Sequence, residues 1–171
     1  MWNDTDTPLA DLVTFRTYGT WLHGDPRGSV NRFRNTFGTR RLPPEESWID
    51  KNTQRLKREV VILDARQRKS VEKAIRETCV KRGWILLAVN VRTNHVHIVV
   101  SIGEGKASSA LNAFKANATR TMRQAGCWDS ASTPWVDKGS QRYLWTKRGV
   151  ERAVDYVLYG QGSDLPDFDQ P

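Results

Sequence analysis

Two histidines one residue apart, His95 and His97, are the side chains in this chain most suited to chemistry. They lie in the run from residue 90 to 101, whose many β-branched residues predict a strand. Because side chains alternate between the faces of a strand, both imidazoles point the same way and the intervening aliphatic residues point towards a core. Such a pair can hold a metal ion if further ligands join it, with positions left for a substrate. Two half-exposed polar residues are the simpler alternative for an isolated His-x-His.

The surrounding residues carry more information than the pair alone. Asn94-His95-Val96-His97 followed by aliphatics resembles the His-hydrophobe-His motif of the HUH endonucleases, in particular the single-tyrosine transposases of bacterial insertion sequences and their REP-associated relatives. Three more segments continue the resemblance in the family's order: residues 13–19, 139–145 and 153–158. The resemblance therefore covers about residues 11–161.

The resemblance implies a reaction and its components. Tyr156 matches the family's nucleophile, and His95 and His97 match its metal ligands. The implied activity cuts and rejoins single-stranded, hairpin-bearing DNA through a 5′-phosphotyrosine intermediate with a free 3′-hydroxyl, without a nucleotide cofactor. The implied cofactor is Mg²⁺ or Mn²⁺, although imidazole ligands by themselves favour Zn²⁺ or Ni²⁺.

The third metal ligand is where this chain departs from the family pattern. In relatives a Gln, Asn or similar residue stands four positions after the tyrosine, but that position is Gly160 here and Gln161 follows it. We expect the last helix to end or bulge near Gly160, so that Gln161 reaches the metal. The alternatives are a ligand elsewhere in the chain, or a metal site that has decayed.

The charge of the chain suits a nucleic-acid partner. The formal net charge is +8 and the sequence pI is about 9.8. Candidate DNA contacts are Arg16 on the first strand, Lys115 and Arg120 on a helix, and Arg142 on a late strand. For each of them a solvated surface charge is the competing interpretation.

Composition sets the outer limits of the protein. At 171 residues the chain is expected to form a single domain, residues 1–171, with flexible tails at 1–10 and 162–171. No run of apolar residues is long enough to span a membrane, and the barrel of eight strands and eight helices is excluded by length. Two distant cysteines and an acidic N-terminus without a signal peptide indicate the cytoplasm.

The sequence predicts that the elements which position these residues follow the order β-α-β-β-α-β, with a terminal helix after them. The expected fold class is α+β, a ferredoxin-like βαββαβ antiparallel sheet with two helices on one face and a C-terminal helix that carries the tyrosine. Residues 84–92 are nearly all apolar, so we expect a central strand buried on both faces. The histidines should then lie on the uncovered face of the sheet.

The terminal helix, about residues 148–160, has an apolar stripe that indicates where its tyrosines point. Val150, Ala153, Val154 and Val157 form the stripe. At about 100° per residue, Tyr156 lies at its flank and Tyr159 almost opposite.

Two functions from different classes fit this sequence. The first is a metal-dependent single-tyrosine transposase, acting on its own or as a homodimer. The second is a domesticated relative that binds hairpin DNA or RNA but no longer cleaves, and the glycine at position 160 is its main support.

Overall fold

The described part of the chain contains strands and helices in the order β-α-β-β-α-β-α. The computed structural model describes residues 6–20, 54 and 56–160. In chain order the elements are β1 (Ala10–Arg16), α1 (Ala65–Arg82), β2 (Ile85–Val91), β3 (His95–Ser101), α2 (Ala107–Gln124), β4 (Ser140–Leu144) and α3 (Lys147–Tyr159).

The strands form one sheet in the order β2-β3-β1-β4, and every neighbouring pair is antiparallel. The first and third strands of the chain thus lie at the centre, as in a ferredoxin-like βαββαβ unit. Arg92 N–H donates to the His95 carbonyl across the short connection between β2 and β3, which forms a hairpin. The predicted α+β fold class is confirmed, including the C-terminal helix.

The ends of α1 follow from its sequence. The Asp64 carboxylate accepts from Gln67 N–H at 2.7 Å, and the Gln67 side chain accepts from Asp64 N–H at 2.9 Å, so that a capping box starts the helix. Gly83 ends it with a left-handed backbone at φ 67°, a conformation that glycine adopts without steric cost. Both signals were readable in the sequence.

Helices α1 and α2 cover one face of the sheet. The strand residues on this face include Val13, Phe15 and Ile98, each almost fully buried against apolar residues of the two helices. Phe114 on α2 and Ile75 on α1 are also fully buried in this cluster. The period-two pattern of β1 and β3 therefore predicted this core correctly.

The opposite face, which carries the histidines, is not open as the sequence pattern predicted. Helix α3 packs there, burying Ala153 and Val157 against Leu12 of β1 and Val99 of β3. Because Leu12 and Val99 are apolar and point away from α1 and α2, this face also needs cover, and α3 supplies it. The correction matters for function, since it brings the tyrosine helix onto the histidine strand.

The prediction that β2 is a central strand buried on both faces was wrong. It is an edge strand, and Ile85 and Leu87 are 63% and 40% exposed. Its apolar content has a different cause, because it lies between α1 on one face of the sheet and α3 on the other. A strand covered by helices on both faces has an apolar sequence wherever it stands in the sheet.

The beginning of β1 lies earlier than expected. Ala10, which the sequence pattern placed in a loose N-terminal tail, begins the strand and is fully buried. Leu9 N–H donates to the Leu144 carbonyl, which extends the pairing with β4.

Residues 162–171, the other expected tail, lie outside the described part of the chain. Of the helices that are described, none combines the length and apolarity needed to cross a membrane.

A buried carboxyl on β1 makes stability depend on pH. Asp11 is 1% exposed, and its Oδ1 has no hydrogen-bond partner among the described residues. Burial raises the pKa of the Asp11 carboxyl from 3.8 to about 6. The folded state holds this proton more tightly than the unfolded state does. The contribution of Asp11 to the free energy of unfolding is therefore most favourable below pH 4 and falls as the pH rises through about 6.

We therefore expect Asp11→Asn to be more stable than wild type at neutral pH, by up to about 3 kcal/mol, with the gain vanishing in acid. Denaturant unfolding of both proteins across the pH range checks this. Asp129→Asn, at an exposed carboxyl, is the control and should follow the wild-type curve. Parallel curves for wild type and Asp11→Asn would contradict the assignment.

Candidate functional site

The two histidines lie together at the start of β3, on the face that α3 packs against. In the pairing of β1 with β3, Arg16 is opposite His95 and Thr14 is opposite His97. The two imidazole rings are 4.8 Å apart between centroids, with planes inclined by 70°. His97 is buried, with 8% of its surface exposed, and His95 is half-buried. The strand alternation thus brings the rings side by side, as the sequence predicted.

Each ring is held by a hydrogen bond at Nδ1. The His95 Nδ1 lies 2.6 Å from Asn94 Oδ1, and the His97 Nδ1 lies 2.7 Å from Thr14 Oγ1. Ligand histidines in metalloproteins characteristically bind the metal through one ring nitrogen and a hydrogen-bonding partner through the other. Nε2 is consequently the atom by which each ring would hold a cation.

The donor set fits a divalent cation but does not close its coordination shell. Among residues 6–20, 54 and 56–160, no three His, Cys, Asp or Glu side chains lie close enough together to bind a metal. Of these four residue types, the described part of the chain offers the imidazole pair without a third ligand beside it. A two-imidazole site with open positions is compatible with a substrate oxygen as a ligand.

Tyr156 is positioned by the apolar stripe of α3. Ala153 and Val157 are buried against the sheet, and Tyr156 beside them is 44% exposed. Its ring packs edge-on against His97, with 5.4 Å between ring centroids and 65° between planes. Tyr159 is 80% exposed, on the outer side of the helix. The same chain thus brings a phenol and two imidazoles together.

A side-chain hydrogen bond ties the end of α3 to the sheet. Asn90, which lies opposite His97 in the pairing of β2 with β3, donates from Nδ2 to the Val157 carbonyl at 2.8 Å. This bond acts one residue after Tyr156. Asn90 therefore fixes the distance between the tyrosine turn and the histidine strand.

We expect Asn90→Ala to lower stability by about 1 kcal/mol, the net value of a typical hydrogen bond, and to slow any reaction of Tyr156. Asn117→Ala is the matched control, since Asn117 donates from Nδ2 to Thr78 Oγ1 at 2.9 Å on the far side of the sheet. Thermal unfolding and covalent DNA adduct formation are measured for both variants. Equal rates in the two variants would show that the Asn90 bond does not position the tyrosine.

Gly160 ends α3 immediately after the tyrosine turn. Its N–H donates to the Tyr156 carbonyl at 2.9 Å, and helical structure stops at Tyr159. A Cβ at this position would lie 3.0 Å from Tyr156 Cδ2 and 2.9 Å from the Tyr156 carbonyl oxygen. Glycine thus leaves space for the tyrosine ring. Gln161, the predicted third ligand, lies outside the described residues, and its role stays a prediction.

The four predicted DNA contacts are divided between the two faces of the sheet. Arg16 is opposite His95, and the exposed Arg142 is opposite Leu12, so both belong to the histidine face. Lys115 and Arg120 are on α2, which covers the other face. The structure therefore brings Arg16 and Arg142 to the side of the sheet that carries the site and does not bring Lys115 and Arg120 there. Their roles as DNA contacts remain predictions.

Lys115 has a structural partner. Its Nζ donates to the Val136 carbonyl at 2.7 Å and also to the Lys138 carbonyl, which holds the segment leading into β4. Burial lowers the pKa of Lys115, and the nearby Asp137 acts in the opposite direction. Arg120, in contrast, is exposed and donates to the Asn117 side chain at 2.9 Å.

Three residues of the site escaped the sequence interpretation: Thr14, Asn90 and Asn94. Asn90 had a visible signal, since it is a polar residue inside an otherwise apolar strand. Asn94 was noted only as part of a turn, although it directly precedes His95. Thr14 had no local signal, because its contact with His97 joins residues 83 positions apart.

The chain was also compared with known proteins. The family model described as "Transposase IS200 like" matches residues 53–148, more than half of the chain. That match includes His95 and His97 and ends before Tyr156. No curated protein matched the chain.

The solved structures that resemble the chain include two transposases. One is a REP-associated tyrosine transposase bound to a REP hairpin, at 12% identity, covering 92% of this chain and 67% of that one, with a TM-score of 0.47. The other is described as a transposase from Deinococcus radiodurans R1, at 12% identity, covering 92% of this chain and 94% of that one, with a TM-score of 0.45.

Proposed function

The chain belongs to the IS200-like transposase family, and from that premise we propose that it cuts and rejoins single-stranded, hairpin-bearing DNA through a covalent bond to Tyr156. The observation that carries the proposal is the contact between the Tyr156 ring and His97, 5.4 Å between centroids, within one chain. A strand histidine pair and a helix tyrosine that are distant in sequence meet where a phosphate could touch both. The net charge of +8 favours a polyanionic substrate.

In the proposed reaction the Tyr156 Oη attacks the phosphorus of a phosphodiester. The bond from Oη to phosphorus forms and the bond from phosphorus to the 3′-oxygen breaks. The phenol gives up its proton, and the departing 3′-oxygen takes one up. One phosphodiester is thus exchanged for another, so no nucleotide cofactor is consumed, and the 3′-hydroxyl can later attack the phosphotyrosine to rejoin the strand.

His95 and His97 would hold a divalent cation, Mg²⁺ or Mn²⁺, with Gln161 as the proposed third ligand. When bound, that ion supplies Lewis-acid polarisation of the phosphate. The chain itself supplies the alignment: β3 fixes the imidazoles, and α3 fixes the phenol beside them. Holding the nucleophile and the phosphate binder in one geometry removes much of the entropic cost of the encounter.

We propose that the tyrosine acts in cis, on a phosphate held by its own chain. Ala153 and Val157 are buried against the chain's own sheet, and Asn90 bonds to the Val157 carbonyl. An exchange of α3 between two protomers would have to give up these contacts and remake them. A homodimer remains compatible with this arrangement but is not required by it.

Arg16 and Arg142 are the proposed DNA contacts on the reactive face. Arg16 lies beside His95 in the pairing of β1 with β3, and Arg142 is exposed on the edge strand β4. Guanidinium groups at these positions suit phosphates on either side of the scissile one. Lys115 and Arg120, on the other face, would require the DNA to extend around the domain.

A second function is favoured by a specific observation. No third His, Cys, Asp or Glu ligand joins the imidazole pair in the described ranges, and position 160 is glycine. A relative that grips hairpin DNA or RNA without cleaving it would tolerate both. It predicts binding that weakens with salt and is indifferent to a chelator.

Incubation with labelled single-stranded hairpin DNA and Mn²⁺ separates the two functions. The proposed transposase gives a protein–DNA adduct that survives denaturation and disappears when the metal is chelated. Tight binding with no adduct, across a set of hairpins and with either metal, would replace it with the binding function.

A further inference from the structure

We propose that Asn94 and Thr14 are positioning residues, which hold His95 and His97 in the tautomer that presents Nε2 to the cation. Both contact Nδ1, and neither is assigned a role by the motif that identifies the site. The inference rests on the proposed function for its cation, but the state of the rings that it describes exists in the metal-free protein.

The hydrogen bond at His95 Nδ1 indicates which tautomer the His95 ring adopts. Asn94 Oδ1 is an acceptor and cannot donate, so the proton in the 2.6 Å contact must be on His95 Nδ1. A neutral imidazole with its proton on Nδ1 has its lone pair on Nε2. The Asn94 side chain therefore sets which nitrogen of His95 can act as a ligand.

Asn94 is itself held rigidly. Its backbone carbonyl accepts from Thr17 N–H at 3.0 Å and from Thr17 Oγ1 at 3.2 Å. Thr17 is fully buried and directly follows the last residue of β1. The turn that carries Asn94 is thus anchored to the neighbouring strand, and its side chain can orient the ring beside it.

The bond at His97 is made inside the sheet. Thr14 and His97 are direct partners in the pairing of β1 with β3, each is 8% exposed, and Oγ1 lies 2.7 Å from Nδ1. A hydroxyl can donate or accept, so its orientation decides the tautomer. If Thr14 accepts, His97 presents its lone pair at Nε2, as His95 does. If Thr14 donated, His97 would present an N–H there and could not bind a cation through that atom.

The two partners act on different rings from different elements, yet both engage the same atom. The ring centroids are 4.8 Å apart. Neither bond depends on α3. Both bonds can therefore orient the rings before DNA or metal binds, and the Tyr156 ring of α3 adds a further contact at His97.

Nitrogen-15 NMR of the metal-free protein, at a pH where imidazole is neutral, tests the tautomers directly. We expect both histidines to carry the proton on Nδ1. Thr14→Val, which removes the hydroxyl at nearly constant shape, should shift His97 towards the Nε2–H form, and Thr14→Ser should restore the wild-type pattern. A wild-type His97 protonated on Nε2, or a pattern unchanged in Thr14→Val, would overturn the role of Thr14.

Titration with Mn²⁺ supplies the second measurement. Thr14→Val and Asn94→Ala should each weaken Mn²⁺ binding by about 10- to 100-fold, the usual cost of losing such a partner. Thr14→Ser and Asn94→Asp, which keep an acceptor at Nδ1, should stay close to wild type. Thr78→Val is the control for loss of a buried hydroxyl, since Thr78 is 3% exposed and donates to the Ala74 carbonyl on α1.

The outcomes separate this inference from the proposed function. Wild-type Mn²⁺ binding with equal affinity in Thr14→Val and Asn94→Ala would overturn the positioning role and leave the proposed function intact. Absence of Mn²⁺ binding by the wild type would count against the proposed function, and the NMR tautomers would still decide the positioning role.

Discussion

We expect Tyr156→Phe to abolish the covalent protein–DNA adduct and to lower strand cleavage by about three orders of magnitude or more, while the affinity for the same hairpin DNA stays close to wild type. The substitution removes only the hydroxyl. The phenyl ring keeps its edge-on packing against His97, so α3 and the imidazole pair retain their places. Adduct formation on a denaturing gel and binding by fluorescence anisotropy measure the two effects separately.

Tyr159→Phe is the matched control for that experiment. It removes the same atom from the same helix three residues later, at a side chain that is 80% exposed on the outer side. It should cleave and join like wild type. Adduct formation by Tyr156→Phe at the wild-type rate would refute the nucleophile assignment.

The second large effect is expected at the imidazole pair. His95→Phe and His97→Phe should each weaken Mn²⁺ binding by more than about 100-fold, beyond the loss caused by removing a neighbouring hydrogen-bond partner, and should eliminate the adduct. Phenylalanine has no metal-binding atom and keeps a planar ring of similar size, which limits the disturbance at the buried position of His97. Isothermal titration with Mn²⁺ and the adduct assay check both parts, and chelation of the wild-type protein should reproduce the loss of activity.

Mixing variants tests the cis arrangement. If each tyrosine serves its own chain, Tyr156→Phe and His97→Phe proteins together remain inactive, because neither chain contains both halves of the site. Recovery of adduct in the mixture would show that α3 serves a partner's histidines.

For the histidine variants themselves, retention of normal Mn²⁺ binding by both would contradict the assignment of the imidazole pair as the metal site.

Local patterns in the sequence predicted the parts of this site well. The alternation along β3 correctly placed His95 and His97 on one face, and the apolar stripe of α3 correctly left Tyr156 at its flank. Both rest on the geometry of a single element, which a sequence encodes directly. The Asp64–Gln67 capping box was readable for the same reason.

The relations between elements were harder to predict. An apolar stripe shows that α3 needs a partner surface but not which face of the sheet provides it. The packing of α3 on the histidine face was therefore not predicted. Similarly, the apolar sequence of β2 is explained by the helices on both faces of the sheet. A position at the centre of the sheet would explain the same sequence, so the pattern could not distinguish the two. The contact of Thr14 with His97 depends on the register of two strands far apart in the chain.

The metal ligand set is the part that neither the sequence nor the fold completes. The glycine at position 160 was visible, and its consequence is geometric: a side chain there would press on the Tyr156 ring. The helix ends at Tyr159, as the interpretation with Gln161 requires. Gln161, the proposed third ligand, directly follows Gly160 in the sequence.

The central claim is that the Tyr156 phenol and the paired imidazoles act on one phosphate. Mass spectrometry of the digested adduct, with fragmentation to assign the modified side chain, tests it most directly. The account predicts a nucleotide phosphate on Tyr156, present with Mn²⁺ and absent after chelation. A nucleotide on Tyr159, Tyr143 or Tyr18 in its place, or an adduct that forms equally well without metal, would contradict it.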